Sequence, residues 1–488
     1  MQIFLAGAAL ARALALALAL ALALALALAP PVSLAAAAAA EAPSEPDGGA
    51  FIDGGEGESL GIDGYAEPPD SESSPFGSLF LTPGQPTEND ILVRSDISPD
   101  VAFDDSDLPI FEADAYILID RRTGLTIASK DAERRLYPAS TTKIMTAILA
   151  LEMGKPEDVF TASARAIRDI GADGSNIGII AGENMRLDNL IEAMLVKSAN
   201  EAANIIAEGI CGTRDEFIDL MNKKAEMLGA RDTHFVNPSG YHHDDHYTSA
   251  LDLAIIANYA MDNATFRDVV SMRTINLAPT NKHAQWERLW TTNQLLLDSS
   301  EKDYTVTGIK TGYTSNAGYC LVASGVDNEG MELLCVVLGV RGGSASANRF
   351  KITSSLMEYG FNNFSTHTFI SNQELVETVS VIGGDGADSV DAISSGTIRL
   401  FLPSDREKWN VSRVTHLQTE VLAPVSKGEK LGYVEFRHNG KFAGTVNVVA
   451  AADVPDAAGA PQSLPERKDT GSTQQRRRTL QLNFTHTS

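Results

Sequence analysis

Cysteine and positive charge are both scarce in this chain of 488 residues. Cys211, Cys320 and Cys335 are its only cysteines. An odd count of three makes no disulfide framework, and no CxxC or Cys/His spacing builds a zinc site. Cys320 and Cys335 fall in two apolar runs that read as hairpin partners, so a bridge between them stays open beside the plainer reading of small buried hydrophobes. Basic side chains number 39 against 64 acidic ones, for a net charge of −25. Nucleic acid is excluded as a partner, because phosphate binding needs clustered Lys and Arg. The deficit is unevenly spread. Residues 41–108 hold 17 Asp and Glu against Arg94 alone and so carry −16, while the first 40 and the last 38 residues carry +1 each. The remaining 342 residues carry −11, an ordinary acidic surface.

The length admits two or three domains. Arg12 precedes an uncharged Leu-Ala run from Ala13 to Ala29, then Pro30-Pro31 and an alanine tract ending at Ala40. Basic flank, apolar stretch and small residues make residues 1–40 an export signal or, given the length of the run, an uncleaved anchor for membrane association through residues 13–29. Its expected conformation is helical. Residues 41–108, rich in Gly, Pro, Ser and acid, read as a disordered, self-repelling linker. Order is expected from about Ile110.

A hairpin follows at Ala115–Asp120 and Leu125–Ser129, and helices dominate from Ser140 to about residue 275. Strands return at Gly308–Lys310, Gly318–Ser324 and Glu332–Leu338, and a helix from Ala347 to Tyr359 ends at a Gly360 cap. This order predicts an α+β unit over residues 109–366, an antiparallel sheet flanked by helices. Short alternating strands over residues 367–450, with Asn439-Gly440 as a hairpin turn, predict a small all-β domain of sandwich type. Residues 451–488 read as a disordered polar tail.

Three short motifs carry chemistry: Ser140-Thr141-Thr142-Lys143, Ser198-Ala199-Asn200 and Lys310-Thr311-Gly312. Ser140 opens an amphipathic helix, where a serine is ordinarily an N-cap. Lys143 lies one turn on, within reach of the Ser140 hydroxyl, and a desolvated lysine can take a serine's proton. A second S-x-x-K at Ser299–Lys302 lies in a charged, solvated stretch, and a second S-x-N occurs at Ser346–Asn348. Taken alone, Ser198-Ala199-Asn200 reads as a helix cap or a buried polar turn. Lys310-Thr311-Gly312 sits on a strand whose small residues let a substrate backbone approach, with a charge and a hydroxyl for an anion.

In this order the motifs resemble those of penicillin-binding proteins and class A β-lactamases. The flanks Tyr137–Thr146, Val196–Ala203, Gly308–Tyr319, Asn237–Tyr241 and His246–Ala250 resemble the serine D-alanyl-D-alanine carboxypeptidases, the low-molecular-mass penicillin-binding proteins. Ala423–Gly432 resembles that family's C-terminal domain, and the likeness spans roughly residues 110–450. It implies Ser140 as nucleophile on the penultimate D-Ala of a peptidoglycan stem peptide and Lys143 as general base. Ser198 would relay a proton, Asn200 would hold the substrate amide, and the Ser140 and Tyr313 N–H groups would form the oxyanion hole. Lys310, Thr311 and Gly312 would bind the terminal carboxylate region, helped by Arg349. It further implies no cofactor and no metal, β-lactam antibiotics as covalent inhibitors, and an extracytoplasmic location. Two departures stand out: Ala199 replaces the family's usual glycine, which matters if that backbone needs positive φ, and the C-terminal tail holds no anchor.

Other classes compete. No Glu between the second and third motifs has Asn four residues on, against a class A β-lactamase. A transpeptidase or endopeptidase with the same motifs, or a slow-turnover wall-binding or penicillin-sensing protein, stays open. The cluster His242-His243-Asp244-Asp245-His246 is the one zinc-like grouping, but consecutive side chains rarely converge on one ion, and a polar loop is the expectation.

Overall fold

In the computed structural model, the described residues are 97–103 and 108–458, together with the backbone of strands at 90–91 and 476–481. The expected export segment and most of the acidic linker lie outside them. Among the described residues no helix is long and apolar enough to cross a membrane.

The first unit is built on a five-stranded antiparallel sheet. Its strands are β1 (Ala115–Asp120), β2 (Thr126–Lys130), β3 (Tyr304–Thr314), β4 (Gly318–Asp327) and β5 (Glu332–Val340), in the order β2-β1-β5-β4-β3. β1 is buried on both faces, and its alternation divides two cores. Ala115, Ile117 and Ile119 join the core beneath the helices, whereas Tyr116 and Leu118 join the one beneath the closing helix. Alternation also settles the cysteines. Cys335 on β5 faces Ala323 on β4, three residues from Cys320, so the two thiols lie on opposite sheet faces and are free.

Between β2 and β3 the chain forms α1 (Lys143–Met153), α2 (Leu187–Val196), α3 (Asn200–Cys211), α4 (Arg214–Met227), α5 (Ala250–Ala260) and α6 (Ala264–Val270). The sequence pattern gives α1 one apolar face, but all of residues 143–150 are buried and Met153 is exposed. It is a central helix, surrounded on all sides. Each fully buried Ile or Met there contributes about 1.5–3 kcal/mol. α7 (Ala345–Asn363) covers the other sheet face and runs through Gly360 rather than ending there. A side chain at Gly360 would strike Leu333, so this glycine permits helix–sheet contact and is no cap.

The second unit is all β. Two sheets enclose one core: β6 (Phe364–Ile370) pairs with β9 (Thr397–Pro403), opposite β7 (Leu375–Ile382), β8 (Ser389–Ser394), β10 (Val411–Leu417), β11 (Glu420–Leu422), β12 (Lys430–His438) and β13 (Lys441–Ala450). Asn439 and Gly440 both take positive φ, 51° and 75°, as the turn between β12 and β13 requires.

The structure corrects both ends of the ordered region. Residues 97–103, expected in the linker, run beside β2: Ala102 N–H donates to Thr126 O at 2.9 Å, and Ser129 Oγ donates to Pro99 O at 2.8 Å. Ile97 and Phe103 supply the apolar contacts that the acidic count obscured. In the expected tail, Val454 pairs with Val425, and β14 (Arg476–Gln481) pairs with the edge strand β10. Edge pairing is made by backbone groups and requires no apolar face.

Candidate active site

Pro138 and Ala139 lead into a 3₁₀ turn, Ala139–Thr142, before α1 begins. Ser140 is therefore not an N-cap. Its turn starts from a left-handed residue, Ala139 at φ 50°, an arrangement that costs about 1–2 kcal/mol without a glycine. Two neighbours permit it by having no side chain. A Cβ on Gly240 would collide with Ala139 O, and one on Gly312 would lie 2.9 Å from Pro138 O and 3.2 Å from Ser140 N. The edge strand β3 thus passes directly against the turn that presents Ser140.

Lys143 is fully buried one turn behind. Its Nζ lies 3.0 Å from Ser140 Oγ, 2.7 Å from Asn200 Oδ1 and 2.5 Å from Ser239 O. Asn200 is oriented by its other end, since Nδ2 donates to Ile170 O at 3.0 Å. Burial drives the Lys143 pKa well below the ordinary lysine value, and the nearby Lys310 charge lowers it further against the opposing pull of Glu201. A neutral amine has two N–H groups and one lone pair. Asn200 Oδ1 and Ser239 O can only accept, so the lone pair is left to the one neighbour with a proton to give, Ser140 Oγ–H.

Ser198 shows where the left-handed residue of the second motif lies. Ser198 itself has φ 69°, whereas Ala199 has φ −58° and is completely buried. The alanine in place of glycine therefore meets no backbone obstacle. Glu201 follows, 1% exposed, with its Oε1 accepting from Ile177 N at 2.7 Å and Gly178 N at 3.2 Å. Asn200 N–H donates to Ser175 O at 2.8 Å, so the start of α3 is tied to the loop that walls the cleft.

On the opposite wall, Lys310 on β3 is 1% exposed and donates to Thr311 O at 3.0 Å. Burial, then the Arg349 charge, lowers its pKa to about 7. Arg349 on α7 donates to Gly312 O at 3.2 Å and lies over the Tyr319 ring, 5.0 Å from its centroid. Among the described residues neither cation is ion-paired, and Arg349 Nε is buried without a partner. This wall is suited to an anion. Thr311 Oγ1 lies 2.6 Å from Thr292 Oγ1, and the half-exposed Tyr313 ring stacks on Tyr319 at 4.2 Å.

These groups meet in one cleft of about 280 Å³, lined by Ser140, Ser198, Asn200, Thr311, Gly312, Tyr313 and Arg349, with Lys143 and Lys310 buried beside it. All nine predicted positions are brought together. The decoys are not: Lys302 pairs with Asp298 at 3.2 Å, and Ser346 is exposed at the start of α7. The motifs do not contain Ser239 O, Gly240 or Glu201, and within the His242–His246 run His246 stands apart in sequence only as the start of the family-like stretch His246–Ala250. His246 is 2% exposed with Nε2 2.8 Å from Thr142 Oγ1, while His242 turns to Asn316. No group of His, Cys, Asp and Glu that could hold a metal ion occurs among the described residues.

Residues 104–342 match the family described as D-alanyl-D-alanine carboxypeptidase, and residues 364–456 match the penicillin-binding protein 5 C-terminal domain. D-alanyl-D-alanine carboxypeptidase DacF of Bacillus subtilis is 31% identical over 352 residues, covering 71% of this chain and 87% of that protein. DacA of Haemophilus influenzae is 30% identical over 356 residues, covering 72% and 87%. The crystal structure of penicillin binding protein 5 from Haemophilus influenzae aligns with a TM-score of 0.56 at 28% identity, over 72% of this chain and 99% of that one. With its three motifs folded into one cleft and such relatives matched across both units, the chain belongs to the D-alanyl-D-alanine carboxypeptidase family.

Proposed function

We propose that the protein is a serine D-Ala-D-Ala carboxypeptidase, which removes the terminal D-alanine of peptidoglycan stem pentapeptides through an acyl-enzyme on Ser140. The observation that carries this reading is the Lys143 amine, 3.0 Å from Ser140 Oγ, buried, and otherwise surrounded by acceptors. Neutral Lys143 takes the Ser140 proton as Oγ attacks the penultimate D-Ala carbonyl. The N–H groups of Ser140 and Tyr313 receive the developing oxyanion. Ser198 passes a proton to the leaving amine, and D-alanine departs. Water then hydrolyses the ester and frees Ser140. Lys310, Thr311 and Arg349 receive the terminal carboxylate, with Gly312 leaving room for the substrate strand, and Asn200 holds the substrate amide. A β-lactam carries its carboxylate and reactive carbonyl in the same relation and acylates Ser140.

Residues 109–366 form the catalytic domain in this reading, and residues 367–450 its β-sandwich companion. The substrate places the site outside the cytoplasm, with residues 13–29 as cleaved signal or membrane anchor. Intact-mass analysis after addition of a penicillin tests the assignment. Wild type is expected to gain one stoichiometric adduct and Ser140→Ala none; an adduct that persists in the variant overturns it. A stem pentapeptide should then release D-alanine, and a predominance of cross-linked product would favour a transpeptidase.

A further inference from the structure

The Ala139–Ser140 peptide has two working ends. Its N–H is that of Ser140, and its carbonyl accepts from Thr142 Oγ1 at 2.9 Å. Thr142 Oγ1 lies 2.8 Å from His246 Nε2, and Val236 N–H reaches His246 Nδ1 at 3.2 Å. Only one arrangement of protons satisfies all three contacts. The Val236 amide can only donate, so Nδ1 holds the lone pair and Nε2 the proton. Nε2–H therefore donates to Thr142 Oγ1, whose own proton is left for Ala139 O. Both side chains are buried, so no bulk water competes along the chain. Burial, then the neighbouring His234, His243 and His242 charges and Lys143, keeps the imidazole neutral, with its pKa down to about 3.

We propose that His246 is a positioning residue for the oxyanion hole: acting through Thr142, it fixes the plane of the Ala139–Ser140 peptide and polarises it, which strengthens Ser140 N–H as a donor. An amide whose carbonyl accepts a hydrogen bond has a more strongly donating N–H, because hydrogen bonds in a chain polarise one another. The turn also needs holding, since Ala139 occupies the left-handed region at φ 50°. The inference rests on the acyl-enzyme reading above.

The test pairs Thr142→Val and His246→Leu with the conservative Thr142→Ser and His246→Gln. Serine keeps the hydroxyl. Glutamine can accept from Val236 and donate to Thr142. The readouts are the second-order rate of acylation by a penicillin, the melting temperature, and the infrared stretch of the ester carbonyl in an acyl-enzyme made with a carbonyl-labelled penicillin. Acylation should fall about tenfold or more in Thr142→Val and His246→Leu, a fraction of the loss seen when an oxyanion donor is removed outright. Their ester band should move to higher wavenumber, as a less strongly hydrogen-bonded carbonyl does. The conservative pair should return rate and band close to wild type. Lower melting temperatures with unchanged acylation rates and an unmoved band overturn the proposal and leave His246 a packing residue. If His246→Leu does not fold, Thr142→Val decides alone. If wild-type Ser140 takes no penicillin, the acyl-enzyme reading itself fails and this inference falls with it.

Discussion

Lys143 and Lys310 are two buried lysines of opposite use. The first is a base only when neutral, and the second holds a carboxylate only when charged. Burial lowers the pKa of both. The consequence is a bell-shaped dependence of kcat/KM on pH. Activity rises with pH as Lys143 loses its proton and falls above about 7, where Lys310 in the free enzyme loses its own. Lys310→Arg separates the limbs, because a guanidinium stays protonated throughout the alkaline range. Its absolute activity will be lower, but its kcat/KM should stay flat where wild type declines. An alkaline limb at the same pH in both proteins would detach it from Lys310. At this scale the motif residues were legible in the sequence, since chemistry restricts which residue types can do the work. The departure at Ala199 was not resolvable there, because only φ angles show that Ser198 takes the left-handed conformation.

The elements that carry these residues are held by contacts between distant parts of the chain. Strands and hairpin turns followed from alternation and Asn-Gly chemistry, which are local. The 3₁₀ turn at Ser140 did not, because the local pattern favours a capped helix and the turn is set by Gly240 and Gly312 pressing on it from about 100 and 172 residues away. Gly360 was misread as a stop for the same reason: its partner, Leu333, lies on a strand. The loop facing the cleft depends on one such contact. Glu201 Oε1 accepts the N–H groups of Ile177 and Gly178, and burial raises the carboxyl's pKa against the lowering effect of those bonds. Glu201→Ala leaves two donors without a partner, at about 1–3 kcal/mol each where water does not replace it. Hydrogen exchange at Ile177 and Gly178 should accelerate more than tenfold, and acylation should slow as the wall loosens. Unchanged protection at both amides would show that the loop holds itself.

At the scale of the whole molecule, the net charge of −25 says little about the site. Most of it lies in residues 41–108, while the cleft gathers Lys310 and Arg349 without an ion-pair partner among the described residues. What the charge pattern concealed is the junction between the two units. Phe103, inside the stretch read as acidic linker, places its ring 4.9 Å from Phe364 at the start of β6, 6.0 Å from Phe401 on β9 and 5.5 Å from His438 on β12. Phe364 and Phe401 stack on each other at 5.6 Å. Because the Ala102 N–H and the Pro99 carbonyl are held along β2, this ring fastens the sheet edge of the first unit to the second. Phe103→Ala should cost about 1–2 kcal/mol, for a half-buried ring with aromatic neighbours. The melting temperature should fall by a few degrees, and proteolysis near residue 364 should accelerate. Penicillin acylation should keep its wild-type rate, because every group that touches the reaction lies between residues 137 and 349. An unchanged melting temperature would mean that the ring adds nothing to the junction. A slowed acylation would mean that the second unit reaches the cleft through the sheet.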